Sequence, residues 1–259
     1  VREGRRSGAL QVRIVTGPGD LDTASLAGAV ECEGLMWTRT DALAESTVGG
    51  ETALIAGAPT LVEQIGGLEV AISPPAFFQT NTEMAEKLYA IAADLADLKG
   101  WERVFDLYCG IGTVGLSVAA RAGEVWGLEI VEEAVADAIA NARRNEIDNA
   151  KFFAGDVRLA LRELVDAASR PDVCMIDPPR AGLSQKVVRR IIEASPRRIV
   201  YISCNPTTLA PNAAQLGEAG YALRRVVPVD MFPQTPHIEC VAVLERVGSP
   251  PAEPLATRR

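Results

Sequence analysis

In "RRIVYISCNPTTLAPN", residues 197–212, a cysteine stands where a strand-like run hands over to a helix. Arg197 to Ser203 read as a short β-run, Asn205 is a good helix cap and Pro206 a good first helical residue. A thiol at the positive end of a helix is predicted to have a lowered pKa, which makes Cys204 a candidate nucleophile. The competing reading is a small core residue, the ordinary fate of a cysteine. His237 is the only histidine, and a Cys204–His237 pair would permit a cysteine hydrolase. Glu239, two residues further on, reads by itself as a solvated strand acid.

A second set of candidates lies at the ends of successive strand-like runs. After "RVFDLYC" comes the Gly-rich turn of "DLYCGIGT", Asp106 to Thr113, where glycines at 110 and 112 let the backbone approach a ligand at a helix N-terminus. The third glycine of a dinucleotide fingerprint is missing in register. Glu129 ends the next run, about twenty residues on, where an acid binds the hydroxyls of an adenosine ribose. Asp156 and Asp177, the latter in "DPPR", end the third and fourth runs. Each acid alone could merely cap the following helix. Together they predict a nucleoside pocket without a phosphate-binding lysine loop. Acidic strand ends suit a sulfonium cation better than a pyrophosphate, which points to S-adenosylmethionine and methyl transfer.

These residues need a scaffold that brings strand ends to one crevice. From Arg103 the chain alternates strand-like runs with helical ones up to about Gly220, and two further strand-like runs, "YALRRVVPVD" and "IECVAVLER", close it. That alternation predicts an α/β fold with a doubly wound, mostly parallel sheet, Rossmann-like, with ligands at the carboxyl ends of the strands. Pro211 is expected to perturb the first turns of the helix after Cys204. A helix is predicted over Thr82–Leu98, with Met84, Leu88, Ile91 and Leu95 as its apolar face. Residues 1–75 are β-rich and irregular, with strand-like "QVRIVTG", "GLMWTRT" and "ETALIAG". The expected division is a partial β-rich domain over 1–75, a methyltransferase domain over 76–247 and a disordered tail over 248–259.

The composition fits a globular chain: of 259 residues 48% are hydrophobic and 23% charged. No apolar run reaches membrane-spanning length, the N-terminal residues lack a signal-peptide core, and the chain opens on Val1, which leaves room for sequence upstream. Five cysteines without a C-x-x-C pair predict neither a disulfide framework nor a zinc site, and a cytoplasmic location is expected. Cys109, Cys174 and Cys240 read as core residues. The net charge of −8 argues mildly against nucleic acid. Yet Arg180 to Arg225 hold eight Lys or Arg against two Glu, whereas residues 1–179 hold 15 basic and 28 acidic side chains. That basic block is predicted to surround Cys204 and to attract a polyanion.

The stretches "FFQTN", "DLYCGIGT", "GLEIVEEAVADAIANARRN", "DPPRAG", "YISCNPTTLA" and "DMFPQTPHIE" run in this order from about residue 70 to residue 246. In them the chain resembles the RNA uracil-5-methyltransferases, which form 5-methyluridine. The resemblance implies that Gln79, Tyr108, Thr113, Glu129, Asp156 and Asp177 contact S-adenosylmethionine, that Cys204 is the nucleophile and that Glu239 is the general base. The family's N-terminal RNA-binding β-barrel and four-cysteine iron–sulfur site have no visible counterpart, so no metal or cluster is expected. The implied partner is RNA, the implied state a monomer without membrane attachment. The ending "DMFPQTPHIECVAVL" looks more like the ribosomal-RNA members than the tRNA ones, so 23S ribosomal RNA is the expected target and tRNA the alternative.

Carbon 5 of uracil is too weak a nucleophile to take a methyl group unaided. A thiolate adding to carbon 6 enriches carbon 5, and a base must afterwards strip the carbon 5 proton so that the thiolate can leave. The target base would be splayed out of its stack to enter. Two rivals stay open beside the hydrolase. An amino-methyltransferase would carry Asn or Asp, then Pro-Pro and an aromatic, where Arg180 stands here. A non-catalytic RNA-binding paralogue would need no chemistry at Cys204.

Overall fold

The computed structural model describes residues 1–41 and 50–248, in two compact units, Val1–Phe78 and a second beginning at Gln79. The tail expected to be disordered lies, from Ser249 onward, outside the described residues.

In the first unit, β1 (Arg2–Glu3), β2 (Leu10–Thr16), β3 (Gly34–Arg39) and β4 (Glu51–Gly57) form a sheet in that order. The last three are the strand-like runs of the sequence. Between β2 and β3 the chain forms a short helix, α1 (Thr23–Ala29), which the strand pattern did not suggest. Asp22 caps it by accepting the Ser25 N–H at 3.0 Å, and the crossover makes β2 and β3 parallel. A separate hairpin, β5 (Leu61–Ile65) and β6 (Leu68–Ile72), turns on Gly66 and Gly67 with φ of +57° and +82°. A two-residue turn with positive φ at both positions is glycine's territory.

The second unit opens with α2 (Thr82–Ala96), followed by alternating elements: β7 (Arg103–Leu107), α3 (Thr113–Ala119), β8 (Glu124–Glu129), α4 (Glu132–Arg144), β9 (Ala150–Ala154), α5 (Val157–Ala168), β10 (Val173–Ile176), α6 (Gln185–Ala194), β11 (Arg198–Ser203) and α7 (Pro206–Glu218). The final strands are β12 (Tyr221–Val229) and β13 (Glu239–Arg246). The sheet order is β12-β13-β11-β10-β7-β8-β9, with β7 to β11 parallel, and β13 inserted antiparallel between β11 and β12. The strand order reverses between β7 and β10, the switch point at which such sheets bind ligands. There the Asp177 N–H bonds the Leu107 carbonyl at 3.3 Å, holding the two strand ends together.

Central strands are apolar on both faces, as covered parallel strands must be. Val173 to Ile176 and Ile199 to Ile202 are buried throughout, each large side chain contributing about 1.5–3 kcal/mol of burial. Cys109, Cys174 and Cys240 are buried among them.

Two details differ from expectation. The buried face of α2 is Ala85, Leu88, Tyr89, Ala92, Ala93 and Ala96, whereas Met84, Ile91 and Leu95 are only half-buried. Small alanines let the helix lie close on the sheet, and the bulkier residues fall to its sides. Helix α7 also runs through Pro211 without interruption. That ring falls on the exposed face, so the Thr207 carbonyl that proline cannot bond is open to solvent.

Candidate active site

Strand β7 ends in a fully buried carboxylate. Asp106 Oδ2 accepts the Gly115 N–H at 2.7 Å, while its Oδ1 has no hydrogen-bond partner. Burial pushes this carboxyl up to about 7, with Glu129 adding to the shift and the Gly115 N–H opposing it. Gly115 must be glycine here, because a Cβ would stand 2.8 Å from Asp106 Oδ2. Above it the loop turns through Tyr108, Gly110 and Gly112, with φ of +66°, +52° and +87°. A Cβ on Gly112 would meet Phe152 at 3.0 Å, whereas one on Gly110 would meet open space. Glu129, at the end of β8, ties this loop down: Oε2 accepts from the Gly110 N–H at 3.1 Å and Oε1 from Ile130 and Val131 at 2.8 and 3.0 Å. An acid thus ties the Gly-rich turn through the Gly110 backbone N–H.

Thr113, first residue of α3, bonds through its hydroxyl to the Tyr89 hydroxyl at 3.4 Å. Burial raises the Tyr89 phenol, and Asp177, Asp106 and Glu239 raise it further, so this side chain of α2 reaches into the same group of acids. Sequence reading missed Tyr89 as a polar group; its one signal was a phenol on an otherwise alanine-rich helix face. Gln79 is buried just ahead of α2, and Asn81, which caps that helix, donates from Nδ2 to the Met231 carbonyl at 2.9 Å. Asp156 performs the cap function: it accepts the Arg158 N–H at 2.8 Å and the Arg158 Nε at 2.8 and 3.0 Å. The guanidinium holds it below the usual carboxylate range. The Tyr108 phenol is pushed up to about 12 by burial and by Asp156.

At the other side of the switch point, β11 and β13 pair up to Ser203 opposite Cys240. The next facing positions are Cys204 and Glu239. The sheet register delivers Glu239 there, because it is the first residue of β13, the strand beside β11. Glu239 is 6% exposed and Cys204 half-buried. Asn205 caps α7 by accepting the Thr207 N–H at 3.1 Å, and Pro206 follows as predicted.

The thiol is not lowered as the helix end suggested. Burial pushes it up, Glu239 and Asp177 push it further, and Arg180 opposes them. Cys204 precedes the cap, and the first helical residue is a proline without an N–H, so the helix contributes little against two carboxylates. Asp177, opening to the crevice, is raised to about 8 by burial, Glu239 and Asp106. Glu239 is raised by burial and lowered by Arg180. Arg180 is thus the cation that acts on both groups. Its carbonyl accepts from Asn205 Nδ2 at 3.1 Å and Thr208 Oγ1 at 3.3 Å, tying the "DPPR" loop to α7. Its Nη1 lies 3.2 Å from His237 Nδ1, so the histidine considered for a hydrolase pair has that nitrogen on Arg180.

The basic block only partly adjoins Cys204: Arg180 acts on the thiol, whereas other members lie elsewhere. Arg197 and Arg198 sit at the amino end of β11, the far edge of the sheet, where Arg197 meets Glu102 at 3.8 Å and Arg198 meets Glu245 at 2.5 Å. Arg224 bonds the same Glu245 at 3.1 Å. Nearness in sequence misled here, because residues six apart along a strand stand at opposite edges of the sheet. Among the described residues no group of three His, Cys, Asp or Glu is placed to hold a metal, and no helix is long and apolar enough to cross a membrane.

A reversed-strand α/β sheet with a Gly-rich turn, acidic strand ends and a thiol beside a carboxylate describes a nucleoside-binding transferase. The profile of the tRNA (uracil-5-)-methyltransferase family matches residues 70–247, and the chain belongs to that family. It is 46% identical over 198 residues to an uncharacterized RNA methyltransferase of Enterococcus faecalis, covering 76% of this chain and 43% of the relative. With another from Geobacter sulfurreducens it shares 46% identity over 200 residues, 74% of this chain and 40% of the relative. The chain therefore spans under half the length of these relatives. In structure it is similar to the Pyrococcus abyssi tRNA (uracil-54, C5)-methyltransferase in complex with S-adenosyl-L-homocysteine, with a TM-score of 0.80 and 31% identity over 94% of this chain and 58% of that one. The α/β architecture with its mostly parallel sheet is the one this methyltransferase has.

Proposed function

We propose that this chain methylates carbon 5 of a uridine in RNA, using S-adenosylmethionine and a covalent Cys204 adduct. The observation that carries the reading is the β11–β13 register, which sets a thiol and a carboxylate at facing positions beside the switch point. The family supports it, and so does the bound S-adenosyl-L-homocysteine of the Pyrococcus abyssi enzyme.

The pocket fits the cofactor on its own terms. Asp106 keeps a buried oxygen without a donor, and the turn at Gly110 leaves open space. A cation carrying an ammonium and a sulfonium suits that acid, whereas a pyrophosphate would be repelled. We propose Gln79, Tyr108, Thr113, Glu129, Asp156 and Asp177 as its contacts, with Glu129 on the ribose hydroxyls. When bound, the cofactor supplies a methyl group on an electrophilic sulfonium.

The chain's own residues do the rest. Cys204, having lost its proton, forms the Sγ–C6 bond, and the C5=C6 pair shifts toward carbon 5 and the carbonyl at carbon 4. Arg180 offsets the charge on the thiolate. Once carbon 5 carries the methyl, Glu239 takes its proton; that electron pair restores C5=C6 and the Sγ–C6 bond breaks. Glu239 must be ionised for this, and burial makes that harder while Arg180 makes it easier.

The ending "DMFPQTPHIECVAVL" favours 23S ribosomal RNA. A tRNA target is the second reading, favoured by the likeness to a tRNA enzyme. Tritium release from 5-tritiated uridine, in transcripts of each RNA, tests both: release is expected from ribosomal RNA, release from tRNA alone would move the target, and release from neither would refute the chemistry.

A further inference from the structure

We infer that the flank formed by α5 and α6 is the track on which an RNA strand lies as it enters the crevice, an inference that rests on the RNA reading above. Helix α6 begins directly after the "DPPR" loop, capped by Ser184, so its first turn stands at the crevice edge. Lys186 lies close enough to Asp156, the cap of α5, to lower its carboxyl. Lys186 and Arg189 are exposed and have no ion-pair partner among the described residues. Beside Arg189, Arg190 converges with Arg162 of α5 on Glu193, at 2.6 and 3.4 Å.

Two adjoining hollows follow this line. One of about 550 Å³ is bounded by Ser184, Lys186, Arg189 and Glu193. The other, of about 240 Å³, lies between the helices and is bounded by Arg162, Arg170 and Arg190 and by the acids Asp166 and Glu193. Both share Arg190 and Glu193, so they form one groove running away from the crevice edge. Of the acids on this flank, Glu193 is engaged by two arginines, while Glu163 and Asp166 stand exposed on α5. Cations therefore predominate along the groove in a chain of net charge −8. On α6 Lys186, Arg189 and Arg190 fall within one turn, about 4.5–6 Å of helix rise, a cluster that a flexible phosphate backbone can meet. At the opposite sheet edge Arg197, Arg198 and Arg224 are occupied by Glu102 and Glu245, whereas Lys186 and Arg189 on the α5–α6 flank have no such partner among the described residues.

The test is anisotropy of a labelled single-stranded RNA containing the substrate uridine, across a salt series, with the full 259-residue chain. The variants are Lys186→Glu with Arg189→Glu, and Arg224→Glu as a control at the far edge. The double variant should bind at least tenfold more weakly, with a log–log salt slope shallower by about 1.4, two single-strand contacts' worth. In tritium release its KM should rise while its kcat at saturating RNA stays within about twofold. Arg224→Glu should match the wild type. If the wild type releases tritium and the double variant binds RNA equally well, the track is wrong and the chemistry stands. If the wild type neither binds RNA nor releases tritium, both readings fall. If the double variant instead dissolves a dimer seen by sedimentation without changing RNA binding, the flank is an interface between copies and the inference is overturned.

Discussion

Cys204 follows the last paired residue of β11, and Glu239 opens the antiparallel strand beside it, so one step of sheet register holds the two at facing positions. Strand β13 achieves this by inserting between β11 and β12 rather than adding at the edge. Cys204 directly follows β11 and Glu239 begins β13, so both are anchored to the sheet. Burial raises both groups, Glu239 and Asp177 raise the thiol further, and Arg180 is the counterweight to each.

Arg180→Gln removes the charge that lowers both Cys204 and Glu239. Both groups must be ionised at their steps, so the acidic limb of the pH–rate profile should move to higher pH. At neutral pH the rate should fall about 10–100-fold, part of which is recovered in alkaline buffer. An unshifted limb would show that neither group limits turnover.

Glu129→Ala should weaken S-adenosylmethionine binding by about 1–3 kcal/mol, the cost of a lost buried hydrogen-bonding group. Glu129 also accepts the Gly110 N–H, so part of the loss comes from a looser turn. Calorimetry on the folded variant checks this, and unchanged affinity would remove Glu129 from the pocket.

Asp106 makes stability depend on pH. Its folded pKa, about 7, lies above that of an unfolded aspartate, so the folded state binds the proton more tightly. The stabilisation is complete below the unfolded pKa, near 4, and is lost as pH rises through about 7. Asp106→Asn keeps an acceptor for Gly115 and removes the titration. Relative to wild type, it should gain roughly 1–4 kcal/mol between pH 4 and pH 8 in denaturant unfolding. Parallel curves would mean that Asp106 is ionised throughout.

Much of the second unit was legible because its elements carry local signals. Apolar strand runs alternate with helical periods, Asn81, Asp156, Ser184 and Asn205 are caps, and Gly110 and Gly112 mark the turn. The misses share a cause: they depend on what lies across the fold. The close face of α2 is decided by the sheet it meets, which favours alanine over Met84 and Ile91. The insertion of β13 is a long-range pairing that strand order in the chain does not reveal. Tyr89 and the unpartnered oxygen of Asp106 acquire meaning only from neighbours tens of residues away. The thiol's shift followed the same rule, since the nearby carboxylates outweighed the helix end that the local sequence displayed.

The most direct measurement of the central claim compares Cys204→Ala with Glu239→Gln on a denaturing gel, using labelled RNA and S-adenosylmethionine. Cys204→Ala cannot add to carbon 6 and should give neither product nor adduct. Glu239→Gln retains the thiol, so addition and methyl transfer proceed, but the carbon 5 proton is not removed and Cys204 is not released. The account predicts a slow-migrating protein–RNA band for Glu239→Gln, carrying the methyl label, and none for Cys204→Ala. Normal turnover by Glu239→Gln without a trapped band would assign the base elsewhere, and methylation by Cys204→Ala would contradict the uracil-5 mechanism itself.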